Sequence, residues 1–190
     1  MPTTGLLIII SSPSGGGKDA VISALLKIFP HSAKLVTTTD RSMRQEDVDG
    51  QSYHFTTTEI FKEKIKSNEI IEHNFYSGHY YGIEKKELTD KLNNFDLIFT
   101  NIDINGRRTL SNAGYKNLSI FLLPDDLNEL KKRIARRGNI NEIELEKRLT
   151  AAQVEIKAAS EYDFQVINKT GQLTKTINNV AKIIEKYQRK

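Results

Sequence analysis

The feature that most constrains this chain is a glycine-rich turn between an apolar run and a helical pattern. The turn reads Ser-Ser-Pro-Ser-Gly-Gly-Gly-Lys-Asp over residues 11–19. We predict a buried strand over residues 5–11 and a helix over residues 18–29, so that the turn lies between the two. Consecutive glycines let successive backbone N–H groups point at one anion, and a helix N-terminus adds partial positive charge. The turn is therefore typical of a phosphate-binding loop with Lys18 as its cation, the alternative being a purely structural strand-to-helix turn.

This turn departs from the usual pattern G-x-x-x-x-G-K-[S/T] at two positions. Ser12 stands where the first glycine belongs, and Asp19 replaces the Ser or Thr whose hydroxyl ordinarily ligates Mg²⁺. A carboxylate is also a hard oxygen ligand, so Asp19 is a candidate for holding Mg²⁺. The alternative is that Asp19 only stabilises the first turn of the helix.

Beyond the turn, short apolar runs alternate with helical patterns, which is typical of a parallel sheet with crossover helices. Further strands are predicted over residues 95–102, 118–123 and 164–167, and helices over residues 104–112, 126–137, 142–160 and 173–187. Residues 37–83 differ, because they combine short aromatic and threonine-rich segments with one amphipathic helix over residues 58–67. We predict an α/β fold with a central parallel sheet in a core of residues 1–36 and 84–190. A small mixed lobe of residues 37–83 is inserted into that core.

Charge and composition exclude several classes of function. The net charge is +4, from 28 Lys and Arg against 24 Asp and Glu, but the arginines are spaced within predicted elements and no nucleic-acid-binding motif accompanies them. We expect a small phosphorylated ligand and no nucleic acid. The sequence has no cysteine, which excludes disulfides and thiolate metal sites. Its longest apolar run, residues 6–10, is too short to span a bilayer. We expect a protein of the cytoplasm that does not bind membranes, and either a monomer or a homodimer.

Several spaced motifs resemble those of one known family. The segments that carry the resemblance are Arg41-Ser-Met-Arg44, Glu-Asp-Val-Asp-Gly-Gln-Ser-Tyr-His-Phe at 46–55, Asn-Glu-Ile-Ile-Glu at 68–72, Gly-His-Tyr-Tyr-Gly at 78–82 and Asn-Ile-Asp-Ile-Asn-Gly at 101–106. They resemble, in the same order, the R-x-x-R, E-V-D-G-x-x-Y-x-F, N-E-F-I-E, G-N-Y-Y-G and D-I-D-V-Q-G segments of guanylate kinases. With the phosphate-binding loop, the resemblance covers nearly the whole chain.

The resemblance implies a P-loop kinase that moves the terminal phosphate of ATP to GMP and dGMP, with Mg²⁺ as cofactor. The residues it implies for ATP are Ser14, Gly15, Gly16, Gly17, Lys18, Asp19, Ala20 and Asn168. Those for GMP are Thr37, Arg41, Arg44, Tyr53, Glu72, Tyr81 and Asp103, and the catalytic residues are Lys18, Arg41, Arg137 and Arg148. The chemistry agrees, because arginines suit a phosphate dianion and one carboxylate accepts both the N1–H and the N2–H₂ of guanine.

The chain also departs from the family pattern. Ile83 stands where a Ser or Thr often contacts guanine, and Asn101 replaces the first aspartate of D-I-D. The carboxylate lost at Asn101 and the one gained at Asp19 suggest that a single carboxylate has moved across the metal site. Asp40 and Glu46 replace the usual Thr and Gly and add negative charge near the predicted acceptor arginines.

A helix–loop–helix over about residues 133–150 resembles the mobile lid of these kinases. Its arginines are Arg133, Arg136, Arg137 and Arg148. The alternative is an exposed basic helix pair with salt links four residues apart, such as Glu144 to Arg148.

Two other functions share this architecture. Ribose 1,5-bisphosphate kinases resemble the chain in Lys18-Asp19 and Gly82-Ile83, but the paired arginines and Glu72 favour a guanine nucleotide. Non-catalytic guanylate-kinase-like binding modules typically lose the loop lysine, which this chain keeps.

Overall fold

A computed structural model describes residues 5–76, 78–135 and 141–189. The chain forms two compact units, which we describe separately. Unit 1 contains Met1–Leu7, His31–Thr100 and Asn105–Lys116, and unit 2 contains Ile8–Pro30, Asn101–Ile104 and Asn117–Lys190.

Strands and helices alternate along the chain. The strands are β1 (Leu6–Ser11), β2 (Ser32–Lys34), β3 (Thr38–Thr39), β4 (His54–Phe55), β5 (Ile70–Tyr76), β6 (His79–Glu84), β7 (Leu97–Thr100), β8 (Asn117–Pro124) and β9 (Phe164–Asn168). The helices are α1 (Lys18–Ile28), α2 (Thr58–Lys66), α3 (Lys85–Asn94), α4 (Ile104–Asn112), α5 (Leu127–Ala135), α6 (Glu142–Lys157) and α7 (Leu173–Gln188).

These strands form a central sheet and a smaller mixed sheet. The central sheet has the strand order β2-β7-β1-β8-β9, in which β2 pairs with β7 and β8 pairs with β9 in parallel. The second sheet has the order β4-β3-β6-β5 and combines a parallel pair, β3 with β4, with the antiparallel pairs of β6. The predicted α/β class, a parallel central sheet flanked by helices with an additional mixed sheet, is confirmed.

The part of β1 that lies in unit 2 is apolar up to Ile10, because parallel strands in the middle of a sheet are covered on both faces. Ile8, Ile9 and Ile10 are all 0 % exposed. The strand delivers the glycine-rich turn directly to the start of α1, as the sequence predicts. The alternation of apolar strand and amphipathic helix thus fixes where the turn lies.

In unit 1 the mixed sheet packs against α2. Phe61 of α2 is 0 % exposed and its ring stacks on Tyr80 of β6, with 5.3 Å between centroids. A β carbon on Gly82 would lie 2.9 Å from the Phe61 ring and 2.8 Å from the Glu72 carbonyl oxygen. Only glycine therefore lets the helix come this close to β6.

Most predicted elements are observed within a few residues of their predicted bounds. The predicted helix over residues 104–112 coincides with α4. The predicted helix over residues 142–160 is too long, since α6 ends at Lys157 and continues as a 3₁₀-helix, Ala158–Glu161. Helix α3 was missed because its sequence is largely polar, although Leu88 and Leu92 carry the four-residue apolar spacing and are buried.

Candidate functional site

The phosphate-binding loop in unit 2 is shaped by its backbone. Gly15 and Gly17 have positive φ angles, 81° and 86°, which side chains with a β carbon rarely adopt. Gly16 donates its N–H to the carbonyl of Pro13 at 2.8 Å, which closes the turn. Gly17 is then the N-cap of α1, so that Lys18 is the first helical residue.

Each of the three loop glycines contacts a different neighbour. A β carbon would lie 3.2 Å from Cγ1 of Ile134 at Gly15, 2.4 Å from Oγ of Ser12 at Gly16, and 2.7 Å from Nδ2 of Asn168 at Gly17. Ser12, at the position of the missing first glycine, is 8 % exposed and packs under the loop. The loop is therefore held by contacts that admit no side chain at residues 15–17.

Lys18 lies in the field of a carboxylate that sequence reasoning missed. Glu155 on α6 is partly buried, and burial raises its pKa, while Lys18 lowers and Asp103 raises it. Three groups that are distant in sequence are thus close enough to interact electrostatically. The spacing of Glu155 from buried Ala152 and Ala159 along the chain was the only signal that this residue faces inward.

Asp19 and Asn101, the two departures suspected of being linked, are in direct contact. Asn101 donates from Nδ2 to Oδ1 of Asp19 at 2.8 Å. The segment that carries Asn101 is tied to the end of β1, because the hydroxyl of Ser11 donates to the carbonyl of Ile102. Within the described ranges the other carboxylate oxygen of Asp19 accepts no hydrogen bond from the protein.

Asn168 lies at the end of β9 and is 5 % exposed. Its side-chain amide donates to the carbonyl of Gly16 at 2.8 Å. Arg133 of α5 approaches the same residue, donating from Nη2 to the backbone carbonyl of Asn168 at 3.1 Å. The same nitrogen is 3.1 Å from Oδ1 of Asp125 and 2.5 Å from Oγ1 of Thr170.

The predicted lid is described only in part. Arg136 and Arg137 lie outside the described residues. Arg148 donates from Nε to Oε1 of Glu144 at 2.8 Å, the four-residue salt link given as the alternative interpretation. Asn141 caps α6, since its side chain accepts the N–H of Glu144 at 2.9 Å.

In unit 1 three of the predicted acceptor residues meet. The guanidinium carbon of Arg41 lies 5.3 Å from the ring centroid of Tyr53 and 5.6 Å from that of Phe55, while the rings of Tyr53 and Tyr81 are 5.8 Å apart. Arg41 also forms an ion pair with Asp47, Nη2 to Oδ2, at 2.8 Å. We call Arg41, Asp47, Tyr53, Phe55 and Tyr81 the acceptor cluster.

The charges of the acceptor cluster compensate each other. The pKa of Asp47 is lowered, first by the backbone N–H of Arg44, which donates at 2.8 Å, and then by the Arg41 guanidinium. Partial burial lowers the pKa of Arg41, but the hydrogen bond and charge of Asp47 outweigh it and raise that pKa. Asp47 therefore orders both predicted acceptor arginines, one through its side chain and the other through its backbone.

Of the predicted guanine-binding residues, Glu72 and Thr37 belong to unit 1 and Asp103 belongs to unit 2. Glu72 on β5 is 7 % exposed and is paired in register with Ile83, which is 0 % exposed. Ile83 thus belongs to the core, where a Ser or Thr would need a hydrogen-bond acceptor. Thr37 is half-buried, and its carbonyl accepts the N–H of His54 at 2.9 Å.

Asp40 serves the lobe itself. Its side chain, 3 % exposed, accepts from the hydroxyl of Thr58 at 2.7 Å and from the N–H of Tyr80 at 2.8 Å, and His79 lies 3.5 Å away. The carboxylate thereby links the first turn of α2 to β6. The two hydrogen-bond donors and the neighbouring His79 stabilise its charge. Asp40 therefore has a structural role within residues 37–83.

The described residues include no helix that is long and apolar enough to cross a membrane. Among them, no group of three or more His, Cys, Asp or Glu residues is arranged to hold a metal ion.

Comparison with known proteins agrees with this geometry. A family model described as guanylate kinase matches residues 4–187. A guanylate kinase of Clostridium acetobutylicum is 37% identical over 186 residues, with 98% of this chain and 88% of that protein covered. One of Rickettsia bellii is 36% identical over 187 residues, with 98% and 96% covered.

Two solved structures are also similar to the chain over most of its length. The crystal structure of guanylate kinase from Anaplasma phagocytophilum has a TM-score of 0.78 and 27% identity, covering 100% of this chain and 89% of that one. A shikimate kinase from Bacteroides thetaiotaomicron, at 12% identity and a TM-score of 0.51, covers 95% of this chain and 98% of that one, and shows the fold alone.

Proposed function

The chain belongs to the guanylate kinase family, and we propose that it transfers the terminal phosphate of ATP to GMP and dGMP. It is an enzyme, a nucleoside-monophosphate kinase. The observation that carries the proposal is the position of Lys18, directly behind a glycine turn whose shape is fixed by its neighbours. Since both substrates are metabolites of the cytoplasm, we propose that the enzyme acts there.

On the donor side, the loop N–H groups of residues 14–20 would hold the phosphates of ATP, with Lys18 as a mobile positive charge. Phosphoryl transfer depends on positioning and charge neutralisation more than on covalent chemistry. A loop whose backbone is already in place supplies the first, and Lys18 supplies part of the second. Glu155, which interacts with Lys18, would limit how far this lysine can move in the absence of ATP.

The residues beside the loop fit a magnesium ion. Asp19 is exposed at the first turn of α1, and Asn101 holds one of its carboxylate oxygens while leaving the second available. Carboxylate oxygens together with phosphate oxygens are the ligands that Mg²⁺ prefers, and the ion would offset negative charge on the phosphates. We propose that Asp19 ligates the metal and that Asn101 orients it.

On the acceptor side, Arg41, Arg44, Tyr53 and Tyr81 would hold the phosphate of GMP. Within the acceptor cluster Arg41 already has a rigid position between Asp47 and two aromatic rings, which supports this role. Glu72 would accept both donors of the guanine edge, with Thr37 and Asp103 assisting. We propose that residues 37–83 form the acceptor lobe.

Closure would involve a lid of about residues 133–150. Arg137 and Arg148 would then stabilise charge on the transferring phosphate, and exclusion of water would suppress hydrolysis of ATP. For Arg148 this requires release from Glu144, with which it forms a half-buried ion pair in α6.

The test is a coupled assay of ADP release with ATP and Mg²⁺, comparing GMP, AMP, UMP and ribose 1,5-bisphosphate. We expect turnover with GMP at least 100-fold above that with AMP or UMP, because a site that binds a hydrogen-bonding edge rejects a base that lacks it. Turnover with the ribose compound alone would contradict the acceptor assignment. An absence of turnover with every acceptor would contradict the proposed enzyme activity.

The metal assignment has its own test. Titration of Mn²⁺ into the protein with bound ATP, followed by electron paramagnetic resonance, should show weaker metal binding for Asp19→Ala than for Glu146→Ala, an exposed control on α6. Equal affinity in the two variants would exclude Asp19 as a ligand.

A further inference from the structure

The side-chain amide of Asn168 contacts the phosphate-binding loop. The family resemblance implies that this residue binds ATP, near the adenine base. In the structure the residue is 5 % exposed and its Nδ2 donates to the carbonyl of Gly16, 152 positions earlier in the chain. The same nitrogen lies 2.7 Å from the position that a β carbon on Gly17 would take.

The backbone of Asn168 is fixed by a second set of contacts. Nη2 of Arg133 lies 3.1 Å from its carbonyl, 3.1 Å from Oδ1 of Asp125 and 2.5 Å from Oγ1 of Thr170. Oδ2 of Asp125 accepts the N–H of Thr170 at 3.0 Å. Burial works in the opposite direction, but the hydrogen bonds from Thr170 and the charge of Arg133 lower the pKa of Asp125. We call Asp125, Arg133, Asn168 and Thr170 the loop brace.

Helix α5 reaches the loop at another point as well. A β carbon on Gly15 would lie 3.2 Å from Ile134 and 3.5 Å from Cβ of Arg133. Arg133 therefore lies where one end of its side chain packs under Gly15 and the other end holds the carbonyl of Asn168. The loop is bounded by α5 at Gly15 and by Asn168 at Gly16 and Gly17.

We propose that Arg133 and Asn168 are positioning residues that act on ATP through the loop backbone. This inference rests on the proposed use of ATP and assigns a role to a lid arginine that is separate from charge stabilisation. Because the loop N–H groups bind only phosphate, any disturbance of the brace weakens every ligand that carries a chain of phosphates, whatever its base.

The experiment compares three probes by calorimetry in the presence of Mg²⁺: ATP, GTP and inorganic tripolyphosphate. Asn168→Leu keeps the size of the side chain but removes the amide donor without adding charge, and should weaken all three probes by a similar factor of about 10, the loss of one buried hydrogen bond. Asn178→Leu, on the exposed face of α7, makes the same exchange away from the loop and serves as the control. Its affinities should match those of the wild type.

A second variant covers the possibility that Asn168→Leu does not fold. Thr170→Val removes one contact of Arg133 at an exposed position and should weaken the three probes equally, by about 2- to 3-fold. A loss confined to ATP, with unchanged tripolyphosphate binding, would show that Asn168 reads the base and would overturn the proposal. Unchanged affinities in both variants would also overturn it. Failure of the wild type to bind any of the three probes would contradict the proposed use of ATP, on which this inference rests.

Discussion

In the phosphate-binding loop the groups that would face a ligand belong to the backbone, whereas in the acceptor cluster they belong to side chains. The loop is fixed by close packing at Gly15–Gly17, where no β carbon fits. The acceptor cluster is fixed by charge, through the ion pair of Arg41 with Asp47 and its position over two aromatic rings. A site made of backbone should therefore fail as a unit, whereas a site made of side chains should lose its functions one group at a time.

The largest effect should come from adding one methyl group to the loop. In Gly17→Ala the new β carbon would lie 2.7 Å from Nδ2 of Asn168, at a φ angle of 86° that alanine rarely adopts. Either the Asn168 amide that holds the loop or the loop itself must shift, and a loop displacement of about 1 Å is expected to lower kcat/KM for ATP by at least ~100-fold. The coupled ADP assay measures this loss.

Gly114→Ala is the matched control for the loop substitution. Gly114 has nearly the same φ angle, 85°, but nothing lies within 4 Å of its potential β carbon. The variant carries the same backbone strain without the collision and should keep its activity within about 2-fold, at a cost in stability of about 1 kcal/mol. Equal losses in the two variants would mean that strain alone, and not the shape of the loop, explains the effect.

The acceptor cluster should respond more selectively. Arg41→Ala removes a charged donor of the phosphate and leaves Asp47 unpaired beside it, so kcat/KM for GMP should fall by about 10- to 100-fold. The dissociation constant of ATP, measured by calorimetry, should stay the same. Arg189→Ala, on an exposed arginine at the end of α7, is the control. A parallel loss of ATP affinity would break the distinction between the two regions.

Substitution of one buried carboxylate should change specificity more than rate. If Glu72 accepts both donors of the guanine edge, Glu72→Gln should reduce the preference for GMP over IMP, which lacks the exocyclic amine, by about 10-fold. The ratio of kcat/KM values for the two nucleotides gives the answer. Glu69→Gln, exposed in the turn before β5, should leave that ratio unchanged. A preserved preference in Glu72→Gln would remove this residue from the guanine site.

The sequence predicts the loop well because its signal is local. Strand, glycines, lysine and helix lie within 30 residues, and each follows from periodicity or from a φ angle that only glycine adopts readily. The same reasoning could not find what holds the loop, since Asn168 and Gly16 are 152 positions apart. Glu155 was missed for a related reason, because a polar residue on a charged helix is inward-facing only after the helix has packed.

For the acceptor lobe the family resemblance was more informative than local periodicity. Its proposed site residues were predicted from the family resemblance. Its strands β3 and β4 were not predicted individually, because two residues are too few to display a period. Asp40 was expected to add charge near the acceptor arginines. Its contacts with Thr58 and Tyr80 depend on tertiary structure and could not be inferred from the sequence.

The smallest effect tests a difference in charge between the two regions. Asp47 compensates Arg41, and its lowered pKa shows that its charged form is favoured in the folded protein. Glu155 differs, because burial raises its pKa, with Lys18 opposing and Asp103 adding to the shift. The protonated form of Glu155 is therefore favoured by folding. Its contribution to stability is complete below the ordinary glutamate pKa of about 4.3, and is lost as the pH rises through the folded-state pKa.

Glu155→Gln is neutral at every pH and should remove this loss. Its melting temperature should exceed that of the wild type by at most about 2–4 °C at pH 7.5, with little difference at pH 4, as scanning calorimetry would measure. Glu146→Gln, exposed on the same helix, should show no such dependence on pH. A gain of equal size at both pH values would mean that shape and not charge separates the two side chains. The dependence on pH is the decisive result. It would show that a carboxylate near Lys18 of the phosphate-binding loop destabilises the fold when it is charged, whereas the charges of the acceptor cluster compensate each other.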